Sequence, residues 1–365
     1  MNILFLTPYP NGSAPSQRFR FELFFGELAS EGWNYQVESF WDEKSWRRLY
    51  EGGSTWKKIV GLVKGFARRK WLMLHLRTYD VIFIHREVAP IGPPIFEWFM
   101  AKVLKKKIIY DFDDAIWLPN TSDQNSIVGR LKWHNKVSAI CRWSWKVSVG
   151  NVYLANFARK HSSEVSVLPT VVDTDIHLPC TKNLEKKAIY QRPITNNHLL
   201  TIGWTGSHST LKYLKPLIPV LQTLAEQFDF TFAVIADRDP KLPLKNYRFI
   251  RWSKETEVAD LNQLDIGLMP LADDQWSRGK CGFKAIQYGA IGIPALVSPV
   301  GVNAEIVEDG ETGYHCHTDQ DWENSILKLL KDEPLRIRLG KAGRERITQY
   351  YSVAAMKYRF LTLFQ

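Results

Sequence analysis

The chain has 365 residues, more than a single core usually organises, and 45% of them are hydrophobic, so two globular domains are expected. No apolar run approaches the roughly 18 residues of a membrane span; MNILFLTPYP has neither a basic n-region nor a cleavage site, and Cys141, Cys180, Cys281 and Cys316 lack the spacing of a zinc site or a disulfide framework. A cytosolic protein is expected, and its net charge of +10 calls for an anionic partner, which nucleic acid, an acidic membrane surface or a phosphorylated substrate would each provide.

NILFLTP reads as a first strand, followed by a loop and a helix from about Arg18 to Ser30. In NGSAPSQRFRF, Gly12 permits a tight approach. Arg18 and Arg20 stand near the helix start, where they oppose its dipole, so contact with an anionic ligand is one reason for them. Between Trp46 and Arg77 the sequence interleaves basic residues with Trp46, Trp56, Phe66 and Trp71. That mixture suits an interfacial surface on anionic lipid. A solvated helix face over the core is the plainer reading, and nucleic acid is disfavoured because no binding signature accompanies the charge.

DVIFIHR is a second strand, and its end places His85 and Arg86 at the mouth of a ligand site or in a structural role. IFEWFMAKVLKK has helical period, and KIIYDFDD is a strand running into Asp111, Asp113 and Asp114. Three carboxylates so close must be paired, protonated or bound to something positive. A D-x-D spacing suits a divalent metal, whereas basic residues opposite would hold a diphosphate without one; some of these acids would otherwise cap a helix or pair with Arg86 or Arg18. WKVSVGN and VSVLPT close the half as strands.

After PTVVDTDIHLP the grammar restarts, with LLTIGWTGS, FTFAVIAD, YRFIRW, DIGLMPL and PALVSPV as strands. Strands separated by helices mean parallel βαβ units, so the expected fold is α/β, with two doubly wound domains and ligand at the carboxyl ends of their strands. GWTGSHSTLK follows a strand and opens a helix; the backbone amides of Gly206 and Ser207 would cradle a phosphate there, near Thr210 and Lys212. Trp252 follows another strand and precedes a helix, where a packed aromatic is one reading. In KCGFKAIQYGAIGIP, Lys280 and Lys284 add positive charge to a helix N-terminus, so an anion is expected beside them.

PALVSPVGVNAEIVEDGETGY, the preceding GAIGIP and the linker PTVVDTDIHLP together resemble the family 4 bacterial glycosyltransferases, retaining enzymes of the GT-B fold. The resemblance covers essentially the whole chain. It implies an acceptor-binding Rossmann-like domain over 1–170, a nucleotide-sugar-binding one over 171–350, a cleft between them, and a helix over 351–365 returning to the first domain. It also implies that two family glutamates fall here on Gly279 and Gln287. Gln287 keeps hydrogen-bonding capacity toward ribose hydroxyls, whereas Gly279 loses an acid near the donor sugar. The family's Gly-Arg after the first strand of the second domain is replaced, with Lys212 matching its later lysine. A family His-Asp pair aligns with Asp113 and Asp114.

The residues expected to carry catalysis are thus Asp113, Asp114 and Lys280. Gly206, Ser207, Thr210, Lys212, Trp252, Lys280, Lys284 and Gln287 are assigned to the donor, and Gly12, Arg18, Arg20, His85 and Arg86 to the acceptor. The expected partners are a nucleotide-sugar donor, a saccharide or lipid-linked acceptor and an anionic membrane surface, with no metal, cofactor or nucleic acid. A sugar-nucleotide epimerase of the same fold and a binding module that has lost catalysis are the rival readings.

Overall fold

The computed structural model describes residues 1–50, 55–119, 133–180 and 199–365. Two compact units emerge from its contacts. The first comprises Met1–Thr170, Gly279–Cys281 and Met356–Gln365; the second comprises Val171–Arg278 and Gly282–Ala355.

The first unit is built on a six-stranded sheet in the order β2-β1-β3-β4-β5-β6. Its strands are β1 (Asn2–Thr7), β2 (Asn34–Ser39), β3 (Val81–His85), β4 (Lys107–Phe112), β5 (Lys146–Val149) and β6 (Val165–Val167). All pairings are parallel. Every residue of β3 and the last five of β1 are buried, as strands covered on both faces require. β2 was not legible in the sequence, because NYQVES is a polar edge strand with its first three residues exposed. The expected helix from Arg18 is instead a short turn at Pro15–Arg18, a 3-10 turn at Glu22–Phe24 and a helix at Phe25–Ser30. Burial of Phe19, Arg20, Phe21 and Phe24 explains the break, since no single helical stripe holds them all. The C-terminal segment completes this core, with Phe360 stacked on Phe24 at 4.4 Å.

The second unit repeats the design with the order β12-β11-β10-β7-β8-β9. The strands are β7 (Thr201–Gly206), β8 (Thr231–Ala236), β9 (Tyr247–Arg251), β10 (Ile266–Met269), β11 (Ala295–Val297) and β12 (Gly313–His315), again all parallel. β12 is three residues long, too short to show a period. The core gathers Ile202, Trp204, Leu221, Phe232, Leu268 and Leu296.

In both sheets the strand order reverses once, between β1 and β3 in the first and between β7 and β10 in the second. Chain segments leaving two such strands diverge to opposite faces and open a crevice at their carboxyl ends, where ligands bind in doubly wound folds. No helix of the described residues is long and apolar enough to cross a membrane.

Candidate active site

In the first unit, the segments after β1, β3 and β4 bring together a chain of charges. Arg20 is fully buried and donates to both oxygens of Asp111, to the carbonyl of Leu168 and to Ser148 Oγ. His85 Nδ1 lies 2.8 Å from Asp111 Oδ2, and its Nε2 is buried without a hydrogen-bond partner. Burial pushes the Asp111 carboxyl up, but the Arg20 charge and the His85 hydrogen bond outweigh it and hold the group well below the usual range.

Arg86 forms the second link. Its Nε donates to Asp113 Oδ1 and its Nη2 to Asp114 Oδ2, both at 2.7 Å. The residue sits at φ 60°, a left-handed conformation uncommon for a side chain of this size. Backbone bonds hold it there: its N–H donates to the Asp111 carbonyl, and its own carbonyl accepts from Tyr110 Oη. Burial raises both aspartates. For Asp113 the charges of Arg86 and His85 prevail and the pKa falls, whereas Asp114 stays raised despite Lys280 and Arg86. Lys280 Nζ lies 4.0 Å from Asp114 Oδ1. Asp114 is therefore the better proton acceptor of the two once ionised, and Asp113 the more firmly charged. Cys281 donates its S–H to the Asp113 carbonyl at 3.0 Å, and burial pushes its thiol up, which makes it inert.

One expectation changes here, that for Arg20, and one of the alternatives weighed for the carboxylates is met, the pairing of Asp113 and Asp114 with Arg86. Arg20 has no guanidinium edge for an acceptor, because Asp111 and Leu168 hold it inside the unit. The D-x-D carboxylates face cations of the protein itself: Asp111 meets Arg20, and Asp113 meets Arg86. Gly12, at φ 72°, donates its N–H to Glu22 at 2.9 Å and shapes the loop after β1. Arg18 lies 4.7 Å over the Phe19 ring.

In the second unit, the crevice between β7 and β10 is bordered by the loop after β7 and by the helix Phe283–Ala290. Tyr288 fixes that helix to both strands, since its hydroxyl accepts from Thr205 N–H at 3.1 Å and donates to the Leu268 carbonyl. Gly282, at φ 65°, begins the helix in the left-handed conformation that favours glycine, and a Cβ there would press on Ile306 Cδ1. Gln287, one turn in, is 2% exposed, and its Nε2 has no hydrogen-bond partner. A buried amide N–H without an acceptor costs about 1–3 kcal/mol, so a bound group that accepts from it would recover that cost. Lys284 Nζ lies 5.6 Å over the Trp204 ring and Lys212 Nζ 5.0 Å over the Tyr213 ring, both on this unit.

The phosphate cradle expected after β7 is partly occupied. Ser207 N–H already donates to Thr210 Oγ1, and His208 N–H to Asp237 Oδ1. The pairing of His208 with Asp237 at the end of β8, at 2.6 Å, had no signal in the sequence. Trp252 spends its indole N–H on Glu257 at 3.2 Å, so packing describes its present role.

Residues 201–346 match the family described as glycosyl transferases group 1. The chain superposes over its whole length on a glycosyltransferase from Rickettsia africae, with a TM-score of 0.69, 14% identity and 97% of that chain covered. The chain has the GT-B fold. Another GT-B structure, Anabaena Alr3699/HepE in complex with UDP-glucose, matches at a TM-score of 0.65 with 14% identity, covering 100% of this chain and 99% of that one. At such identity the likeness concerns the GT-B fold alone. The D-inositol 3-phosphate glycosyltransferase of Corynebacterium aurimucosum is 37% identical over 100 residues, which are 27% of this chain and 23% of that protein.

Proposed function

We propose that the chain is a glycosyltransferase that moves a sugar from a nucleotide diphosphate donor to a saccharide or lipid-linked acceptor at a membrane surface, with retention of configuration and without a metal. The observation that carries the reading is Gln287, a buried side chain whose amide Nε2 has no hydrogen-bond partner, one turn into a helix at the strand-order reversal of the second unit, where residues 201–346 match the group 1 family. The donor's ribose hydroxyls would accept from that amide. Its diphosphate would meet the positive end of the helix together with Lys284 and Lys212. UDP-glucose bound to a relative of the same fold supports this class of donor.

As the glycosidic bond breaks, the leaving diphosphate gains charge, so fixed positive groups stabilise the transition state more than the ground state. In same-face attack the leaving diphosphate itself assists deprotonation of the acceptor hydroxyl. Asp114 and Asp113, held by Arg86, would orient the acceptor. Sugar transfer from a panel of nucleotide sugars to membrane extracts tests the reading, with product anomeric configuration read by NMR. Donor turnover with no acceptor present would favour the epimerase instead. Nucleotide binding without any transfer would favour a module that has lost catalysis, a rival that rests on the absent glutamates at Gly279 and Gln287.

A further inference from the structure

The helix Thr55–Leu72 is apolar on two sides. Its inner face, with Gly61, Gly65, Arg69 and Leu72, is buried. Gly61 and Gly65 let it lie against Trp41, Ser45 and Phe40, where a Cβ would meet side-chain atoms at 2.5–3.2 Å. Arg69 then locks it down, donating to the carbonyls of Thr7, Glu38 and Val88. Those carbonyls lie at or just beyond the carboxyl ends of β1, β2 and β3.

The outer face is the anomaly. Trp56 is 70% exposed, Val63 61%, Trp71 61% and Leu74 76%, with Ile59 between them. Their spacing of three, four, eight and three residues makes one continuous stripe along the helix and the turn after it. A helix that merely covers a core turns polar residues outward.

A second element, read in the sequence only as a helix, repeats the pattern. Ile95–Trp98 continues into a π-helical turn at Phe99–Val103. It packs beside the first helix through Phe96, 6.2 Å from Phe66, on a shared cluster around Phe40, Trp41 and Ala89. Outward it shows Ile95 at 62%, Trp98 at 45% and Val103 at 50%. Exposed Lys57, Lys64, Lys70, Lys102 and Lys105 stand among these apolar residues. Across both elements the only acid is Glu97, which is buried and accepts from Val88 N–H.

We infer that these two helices form one docking face for an anionic lipid bilayer, with Trp56, Val63, Trp71, Ile95 and Trp98 entering the headgroup layer and the five lysines meeting lipid phosphates. The absence of exposed acid on both helices selects a negatively charged occupant, and the tryptophans suit a layer that is wet on one side and apolar on the other. This deepens the membrane part of the proposed function and does not depend on sugar transfer, so the two fail separately.

Flotation of the full chain with vesicles tests the face. The parent is expected to bind phosphatidylcholine vesicles containing roughly one-third phosphatidylglycerol, and to leave them as salt rises through the range where exposed charges are screened. Trp56→Glu with Val63→Glu, and separately Ile95→Glu with Trp98→Glu, should each weaken binding at least about tenfold, since each places charges in an apolar layer. A circular dichroism spectrum matching the parent shows that each variant folds. Equal binding to pure phosphatidylcholine, or variants that bind as the parent does, would overturn the inference. So would a dimer of the parent that the same substitutions dissolve, with no vesicle binding: the face would then join two copies of the chain.

Discussion

Arg86 and Asp114 share a 2.7 Å charge-assisted hydrogen bond, and the same guanidinium holds Asp113 at the same distance. One strained residue at the end of β3 thereby fixes both carboxylates at the end of β4. Removing it leaves two half-buried carboxylates without their shared cation, Asp114 keeping only Lys280 at 4.0 Å. Arg86→Ala should destabilise the fold by about 3 kcal/mol, the low end for a broken buried ion pair, because Arg86 remains 18% exposed. Denaturant midpoints measure this. Combining Arg86→Ala with Asp114→Asn should cost less than the sum of the two, and simple additivity would mean that the pair is not coupled.

Asp111 sets the acid limit of the first unit. Burial works against its charge, yet Arg20 and His85 depress its folded pKa below the unfolded value of about 3.9. Its stabilising contribution is therefore complete above that pH and is lost as pH falls toward the folded value. Asp111→Asn should lower stability at neutral pH and flatten the acid limb of the stability curve. An acid limb unchanged by the substitution would show that another carboxylate controls it.

The strands of both sheets were legible wherever an apolar run is buried on both faces, as in β1, β3, β7 and β10. Edge strands were not: Asn34–Ser39 is polar and half-exposed, and Gly313–His315 is too short to carry a pattern. Pro216 falls in a 3-10 turn at Lys215–Leu217 that divides what reads as one helix from Leu211 to Phe228. At the site, sequence position indicated which residues end the strands but not where their side chains turn. Arg20 looked like a ligand contact because its charge opposes a helix dipole, and the opposing charge proved to be Asp111, 91 residues away. The reverse holds for Gln287. Its place in the chain was readable, whereas the lack of a partner for its amide emerged only from packing.

Metal dependence separates two accounts of the diphosphate. If Lys284, Lys212 and the helix start neutralise it, EDTA should leave transfer largely intact, and Lys284→Met should weaken nucleoside diphosphate binding by about 1.5–3 kcal/mol, the worth of a hydrogen bond to a charged group. Activity that vanished with chelator and returned with magnesium or manganese would assign the diphosphate to a metal.

Gln287 offers the most direct measurement, a calorimetric titration of the parent and two variants with UDP or another nucleoside diphosphate. The ribose diol both donates and accepts, so the amide can pair with it in both directions. Gln287→Ala should weaken binding by about 1 kcal/mol, roughly fivefold, the net worth of a neutral hydrogen bond. Gln287→Leu, which removes the orphaned amide at similar volume, should lose the same affinity while leaving the free protein at least as stable as the parent. A parent that binds, with both variants weaker, is the result predicted here; equal affinity in all three would remove Gln287 from the donor site and contradict the account at its centre.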